Sequence, residues 1–310
     1  MNLTTQSKLR TALSVMTAAL LTGTSAFSQH LNNTQQGSLW APAGVRIDAN
    51  AKEWGSDFQA YNSTTDVFYS MANDENNLYL VVKSTNQMIN NKIMAGGITL
   101  TLNTSGKKKE KDGFALTFPM VDLAKLRGQV MSRMRGPGGP QGLDSAAIAG
   151  MRKQAIAAAK EIKLDGFKDI PDSVISIYNE FGIKAAIDYD RNGNLICEMA
   201  LPLKLINADV AKTKELGYNI KLNGLNLSAM FQTRVDGPGG MGGPPPPMPG
   251  GGNITIVRAD GGGGMGMMPG GGMGGEGFRM PRGMPSMQDM QNMVSPTDFW
   301  AKYPLAKKAN

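Results

Sequence analysis

Residues Ile183 to Leu203, IKAAIDYDRNGNLICEMALPL, constrain the chain more than any other stretch. Ile183, Ala185 and Ile187 alternate with Lys184, Ala186 and Asp188, which sends every second side chain to one face, the period of a half-buried strand. The turn DRNGN follows, and Asn192-Gly193 closes it because both residues tolerate the positive φ of a tight hairpin. Leu195 to Leu201 runs back as the antiparallel partner. Glu198 falls inside that second strand, and Pro202 ends it, since proline has no N–H to give to a ladder.

The rest of the chain repeats this theme in shorter pieces. Val67 to Ala72 and Leu78 to Val82 read as strands around the turn Asn73 to Asn77, and Gly97 to Asn103 and Phe114 to Phe118 flank a Lys-rich turn from Thr104 to Gly113. Ile47 reads as the entry to an earlier strand, with Trp54 and Phe58 offering large apolar area to a core. Val174 to Tyr178, Tyr218 to Leu222, Leu225 to Val235 and Asp298 to Leu305 supply further strands, and Lys204 to Glu215 reads as a helical patch. Short β-rich runs with turn signals at close intervals predict an all-β, antiparallel β-sandwich and not an alternating α/β sheet. The Lys107 to Lys111 run is a solvated hairpin tip on this reading, with anionic-polymer binding as the alternative.

Three of these stretches carry a family resemblance. Asp48, Glu53 and Trp54 of IDANAKEW, then Asn73, Asp74, Asn77, Leu78 and Tyr79 of the next hairpin, then Glu198 and Pro202, resemble the family-9 carbohydrate-binding modules and their DOMON-like relatives. The resemblance covers Val45 to Phe118 and Val174 to about Leu227, and Ala49 stands where those proteins have a glycine. It implies a sandwich in which these residues are scaffold, with Trp54 buried. Sugar binders, haem binders and uncharacterised exported proteins share that scaffold, so the resemblance carries fold further than function. Sugar-binding relatives stack tryptophans on sugar rings and often hold structural calcium. Haem-binding relatives use Met and His ligands, whereas His30 is the sole histidine here and lies beside the expected processing site.

The N-terminus has Lys8 and Arg10, an apolar run from Ala12 to Leu21 and a small-residue exit through Ser28, which reads as a signal peptide over residues 1–28. That predicts export, to a periplasm or outside the cell. Without Lys8 and Arg10 the formal charge falls from +7 to +5, a mild surplus below the basic footprint of a nucleic-acid binder. No later stretch is long and apolar enough to span a membrane. Cys197 is the only cysteine, which rules out an internal disulfide, and its mid-strand place predicts a buried, inert thiol.

A single domain over 39–305 is expected, interrupted twice. The first insertion, 120–172, holds a glycine-rich loop and a basic amphipathic helix carrying Ile148, Met151, Ala155, Ile156, Ala159 and Ile162 on one side. Its stripe packs on its own domain or lies on an anionic membrane. The second, 237–296, is Gly/Pro/Met-rich and reads mostly as mobile loop, because such text buries too little apolar area to offset its ordering entropy.

Two groups have ligand chemistry. Asp188, Asp190 and Asn192 have the opening oxygen spacing of a calcium loop, but position twelve is Met199 where a bidentate glutamate belongs, so a plain hairpin turn competes with a calcium site. Half of the 22 methionines lie between Met241 and Met293, and Met284, Met287, Met290 and Met293 recur every third residue. Thioethers suit Cu(I), and the same spacing makes an ordinary packing stripe. Trp40 and Trp300 are the tryptophans left for a sugar. One histidine builds no Ser-His or Cys-His pair, and nothing marks a pair of carboxylates for glycoside hydrolysis, so the expectation is a binding module and not an enzyme. Its partner is a glycan, or alternatively Cu(I) at the methionines, or another envelope protein.

Overall fold

The computed structural model describes residues 31–55, 58–121, 145–225 and 287–308. In chain order it contains β1 (Ala60–Asn62), β2 (Val67–Asn73), β3 (Asn77–Ser84), α1 (Gln87–Gly96), β4 (Ile98–Asn103), β5 (Phe114–Met120), α2 (Ser145–Ala158), β6 (Glu161–Asp165), β7 (Val174–Ser176), β8 (Lys184–Tyr189), β9 (Leu195–Pro202), β10 (Glu215–Leu222), α3 (Met287–Val294) and β11 (Thr297–Pro304). The strands form two antiparallel sheets, ordered β1-β2-β3-β9-β8 and β11-β10-β4-β5-β6-β7. The fold is all-β, two sheets closing on one apolar core.

The hairpin read around Asn192-Gly193 is β8 and β9, in register from Lys184 opposite Ala200 to Tyr189 opposite Leu195. Its five-residue loop is organised by Asp190. One carboxylate oxygen accepts the N–H groups of Asn192 (2.8 Å) and Asn194 (2.9 Å), the other accepts Asn194 Nδ2 (2.7 Å), and Gly193 takes φ 79°. Side-chain alternation then places Ala185, Ile187, Cys197 and Met199 in the core between the sheets. Cys197 is 1% exposed, and burial, then the neighbouring Glu198 charge, push its thiol well above its ordinary value.

Tyr69 of β2 and Tyr218 of β10, both fully buried, meet across the core with their hydroxyls 2.8 Å apart. The Tyr69 hydroxyl also accepts the Gln35 N–H at 2.9 Å, which draws the chain before the first strand onto the core. Phe299 of β11 packs on both rings. An amphipathic strand on each sheet thus contributes one aromatic anchor, and the polar tips satisfy one another where water cannot.

The five-stranded sheet is covered on its other face as well. Ala49, Ala51 and Phe58 pack over Val81 and Ile196, and Ala41 packs over Ala72, Tyr79 and Ala200. All eight residues of β9 are therefore buried, including the outward-facing Glu198. The segment forms no strand at Ile47. Its backbone pairs with the sheet at a bridge from Trp40 to Asn73, and it makes one 3-10 turn, Lys52–Trp54. Trp54 is half-buried there, short of the burial expected of it, and packs against both of these groups.

Ala49 and Ala51 take φ 60° and 51° in this segment. The left-handed region costs an L-residue roughly 1–2 kcal/mol, and Ala49 is the position at which the sequence resemblance expects glycine. Replacing Ala49 by glycine is expected to raise stability by roughly 0.5–1 kcal/mol, read as a higher urea midpoint at unchanged slope.

The helices depart from the sequence reading in instructive ways. α2 ends at Ala158, and Ile162 belongs to β6, where it pairs with Ile175 and faces the core. The segment read as the first insertion thus returns a strand to the six-stranded sheet before residue 172. The alternation Glu-Ile-Lys-Leu-Asp follows the helical pattern closely enough to be absorbed by it. Lys204 to Glu215 is helical only over Leu203–Ile206. α1, capped by Asn86, whose side chain accepts the Met88 N–H, closes one end of the sandwich and packs on α3. Among the described residues no helix is long and apolar enough to cross a membrane.

The turn between β2 and β3 is built on Asp74. Burial opposes ionisation of its carboxyl, yet the Tyr79 hydroxyl (2.6 Å) and the N–H groups of Asn76 and Asn77 (2.7 Å each) outweigh it and hold the carboxyl below its usual value. A carboxyl lowered on folding stabilises above its unfolded pKa of about 3.9 and loses that contribution as pH falls through the folded value. The urea midpoint of wild type is therefore expected to exceed that of Asp74→Asn at about pH 6 and to converge on it below about pH 3. A constant difference across that range would locate the effect in packing.

Candidate functional site

Among the described residues, the segment from Leu39 to Phe58 closes the five-stranded sheet, and the outer face of the six-stranded sheet is left uncovered. Leu216, Tyr218, Ile220 and Leu222 of β10 point into the core, so Glu215, Gly217, Asn219 and Lys221 point out. Register then aligns two rows across five strands. One runs Trp300, Asn219, Thr101, Ala115, Asp165, and the next Asp298, Lys221, Thr99, Thr117, Lys163. At about 4.8 Å per strand these rows are about 19 Å long.

The face is graded in depth. Asn219 and Thr101 at its centre are buried, Trp300, Thr99, Ala115, Thr117 and Lys221 are half-buried, and Lys163 and Asp165 are exposed. A cleft of about 220 Å³ runs over it, lined in part by Thr99, Thr101, Thr117, Lys163, Asp165 and Asn223. Thr99 and Thr117 share a hydrogen bond of 2.7 Å, and Asn223 Nδ2 donates to Thr99 at 2.9 Å. Asn219 Nδ2 donates to Asp298 (2.7 Å) and to the Phe299 carbonyl (2.9 Å), while its Oδ1 is buried without a hydrogen-bond partner. That unpaired acceptor, closed from solvent, costs roughly 1–3 kcal/mol where it stands.

The Lys-rich turn between β4 and β5 borders this face. Asn103 Nδ2 donates to the carbonyls of Lys109 and Lys111, both at 3.2 Å, which folds the turn back on the sheet. Gly217 lies directly beneath it: a Cβ there would fall on the Lys107 carbonyl. The lysines themselves are exposed, as a solvated tip requires, and Glu110 reaches the cleft.

The structure separates the residues that the sequence singled out. Trp300 stands on the outer face of β11, and Trp40 lies half-buried where the N-terminal segment bridges β2. No ring contact joins them among the described residues. Asp188, Asp190 and Asn192 sit at the β8–β9 loop, where Asp188 accepts the Tyr189 N–H (2.7 Å) and both oxygens of Asp190 are engaged by its own loop. That is hairpin-turn geometry, and among the described residues no group of three or more His, Cys, Asp or Glu side chains gathers as a metal site. Met284 lies outside the described residues. Met287, Met290 and Met293 belong to α3, of which Met293 is half-buried.

Glu198 is a centre of a different kind. Its carboxylate accepts Asp48 N–H (2.9 Å), Ala49 N–H (2.8 Å), Ala51 N–H (3.1 Å) and Trp54 Nε1–H (3.1 Å), with no exposure to solvent. Burial pushes its carboxyl above the ordinary value against the pull of those donors. All its acceptor capacity faces the scaffold, which leaves it no chemistry toward a ligand.

Two further concavities lie among the described residues. A groove of about 950 Å³ lies at the end of the sandwich near Phe181, Pro202 and Val210, and a cleft of about 800 Å³ separates α2 from the β8–β9 loop. Sequence reasoning found Trp300 but none of its neighbours. Asn219, Thr101 and Asp165 are far apart in the chain, and only strand register aligns them.

In class the chain is an all-β protein of two antiparallel sheets, one of which carries a polar outer face. No protein-family model matches it, and no curated protein matches it either.

Proposed function

We propose that the protein is an exported, non-catalytic binding module that recognises a glycan across the outer face of the six-stranded sheet. One observation carries this reading: Trp300 is aligned in register with Asn219, Thr101 and Asp165, so an aromatic platform stands at the head of a row of hydrogen-bonding side chains. A pyranose has an apolar C–H face and a rim of hydroxyls, and such a row offers a ring for the first and amide, hydroxyl and carboxylate groups for the second. The resemblance of the Asp48–Trp54, Asn73–Tyr79 and Glu198–Pro202 stretches to the family-9 carbohydrate-binding modules supports it, as does the signal-like N-terminus for export.

The test is an array of cell-wall and extracellular polysaccharides probed with the purified chain, then titration of the best hit. Trp300→Ala is expected to weaken that hit by about tenfold or more, and Trp40→Ala to leave it unchanged. Omitting calcium is expected to change nothing, since Asp190 spends both oxygens on its own loop. A blank array, or a hit indifferent to Trp300, would overturn the assignment.

A further inference from the structure

The cleft between α2 and the β8–β9 loop shares no lining residue with the cleft over the six-stranded sheet and has its own chemistry. Its helix wall is Ala149, Arg152, Lys153, Ile156 and Ala157, and its opposite wall is Asp188 through Arg191 with Gly193, around about 800 Å³. α2 is held there by Arg152, whose guanidinium lies 4.7 Å from the centre of the Tyr189 ring and donates to Gln87 at the start of α1. Ile156 packs against the core, which anchors the helix and leaves Ala149 and Ala157 beside the cleft. Stacked guanidinium and phenol rings make a flat wall with positive charge at its edge.

Arg152, Lys153 and Arg191 outnumber Asp188 and Asp190 around this cleft, a formal surplus of one positive charge. Lys153 and Arg191 are exposed, and among the described residues neither makes an ion pair with Asp188 or Asp190. Asp190 is turned into its loop, where hydrogen bonds from Asn194 and Asn192 overcome burial and hold its carboxyl below the usual value. Asp188 is exposed and gives one oxygen to the Tyr189 N–H. Both carboxylates carry their formal charge, yet Lys153 and Arg191 at the rim are left without a carboxylate partner among the described residues, which favours an anion beside them.

We propose that this cleft binds a small amphipathic anion, a carboxylate carried on a flat apolar body. The apolar body lies against Ala149, Ile156, Ala157 and the Arg152–Tyr189 stack, and the carboxylate takes charge-assisted hydrogen bonds from Lys153 and Arg191 at the rim. Neither cation supports the fold, so both can be changed without disturbing it.

The probe is 2-naphthoate, titrated calorimetrically into the full chain beside its uncharged analogue 2-naphthamide. Binding of the naphthoate is expected, with the amide at least about tenfold weaker, and the double variant Lys153→Gln, Arg191→Gln should reduce the naphthoate to the level of the amide. Trp300→Ala should leave naphthoate binding unchanged, which separates this site from the glycan face. No binding of naphthoate, equal binding of the two probes, or naphthoate binding unaffected by the double variant would each overturn the proposal.

Discussion

Glu198→Ala is expected to lower unfolding free energy by about 3–5 kcal/mol. The methyl group would leave the N–H groups of Asp48, Ala49 and Ala51 and the Trp54 indole facing a space that water fills poorly. Each unsatisfied buried donor costs roughly 1–3 kcal/mol, reduced where the segment can lift away and rehydrate. Lifting away has its own cost, because it uncovers Val81, Ile196, Ala72 and Ala200 on the five-stranded sheet. Two readouts distinguish pinning from general damage. Urea denaturation should show the loss, and limited proteolysis should show new cleavage within residues 39–58 at denaturant concentrations that leave the core folded. Glu198→Gln should fall between, since its amide keeps one oxygen acceptor and turns an N–H₂ toward N–H donors. Wild-type resistance of residues 39–58 in the alanine variant would show that apolar contact alone holds the layer.

At Tyr69, truncation and polar deletion separate cleanly. Tyr69→Ala is expected to cost about 3–5 kcal/mol, as for other large aromatic truncations in a closed core, because the ring is wholly buried against Tyr218 and Phe299. Tyr69→Phe keeps the ring and removes only the hydroxyl. It leaves the Gln35 N–H and the Tyr218 hydroxyl without their shared partner, for about 1–3 kcal/mol. Tyr218→Phe should cost less, since the Tyr69 hydroxyl keeps Gln35. Equal urea midpoints for the two phenylalanine variants would show that the Gln35 contact contributes nothing, and that the bond between the sheets is the whole effect.

These predictions rest on features with different visibility in the sequence. Every strand read from β2 to β5, and again at β7 to β10 and β11, occupies nearly the span that alternation and turn residues assign to it. The reason is local: period two, Asn-Gly and Asp-rich turns and a terminal proline act within a few residues. The misreadings are also local in origin. Glu161–Asp165 alternates over only five residues after a long helical pattern, and α1 has its cap but a weak apolar stripe, so neither announces itself. Trp300 was legible as a candidate because an unassigned tryptophan is rare. Its partners were not.

By itself the sequence determined the class of fold, the hairpin that organises it, the place of the Asn73–Asn77 turn, and the burial of Cys197. Only the tertiary structure decided that Glu198 holds a third layer over one sheet, that the outer face of the other is polar, and that α2 faces the Asp188–Arg191 loop across a cleft. Each of these joins residues distant in the chain through strand register and layer packing. A chain written in one dimension records which side of a strand a residue takes, but not which strand lies beside it.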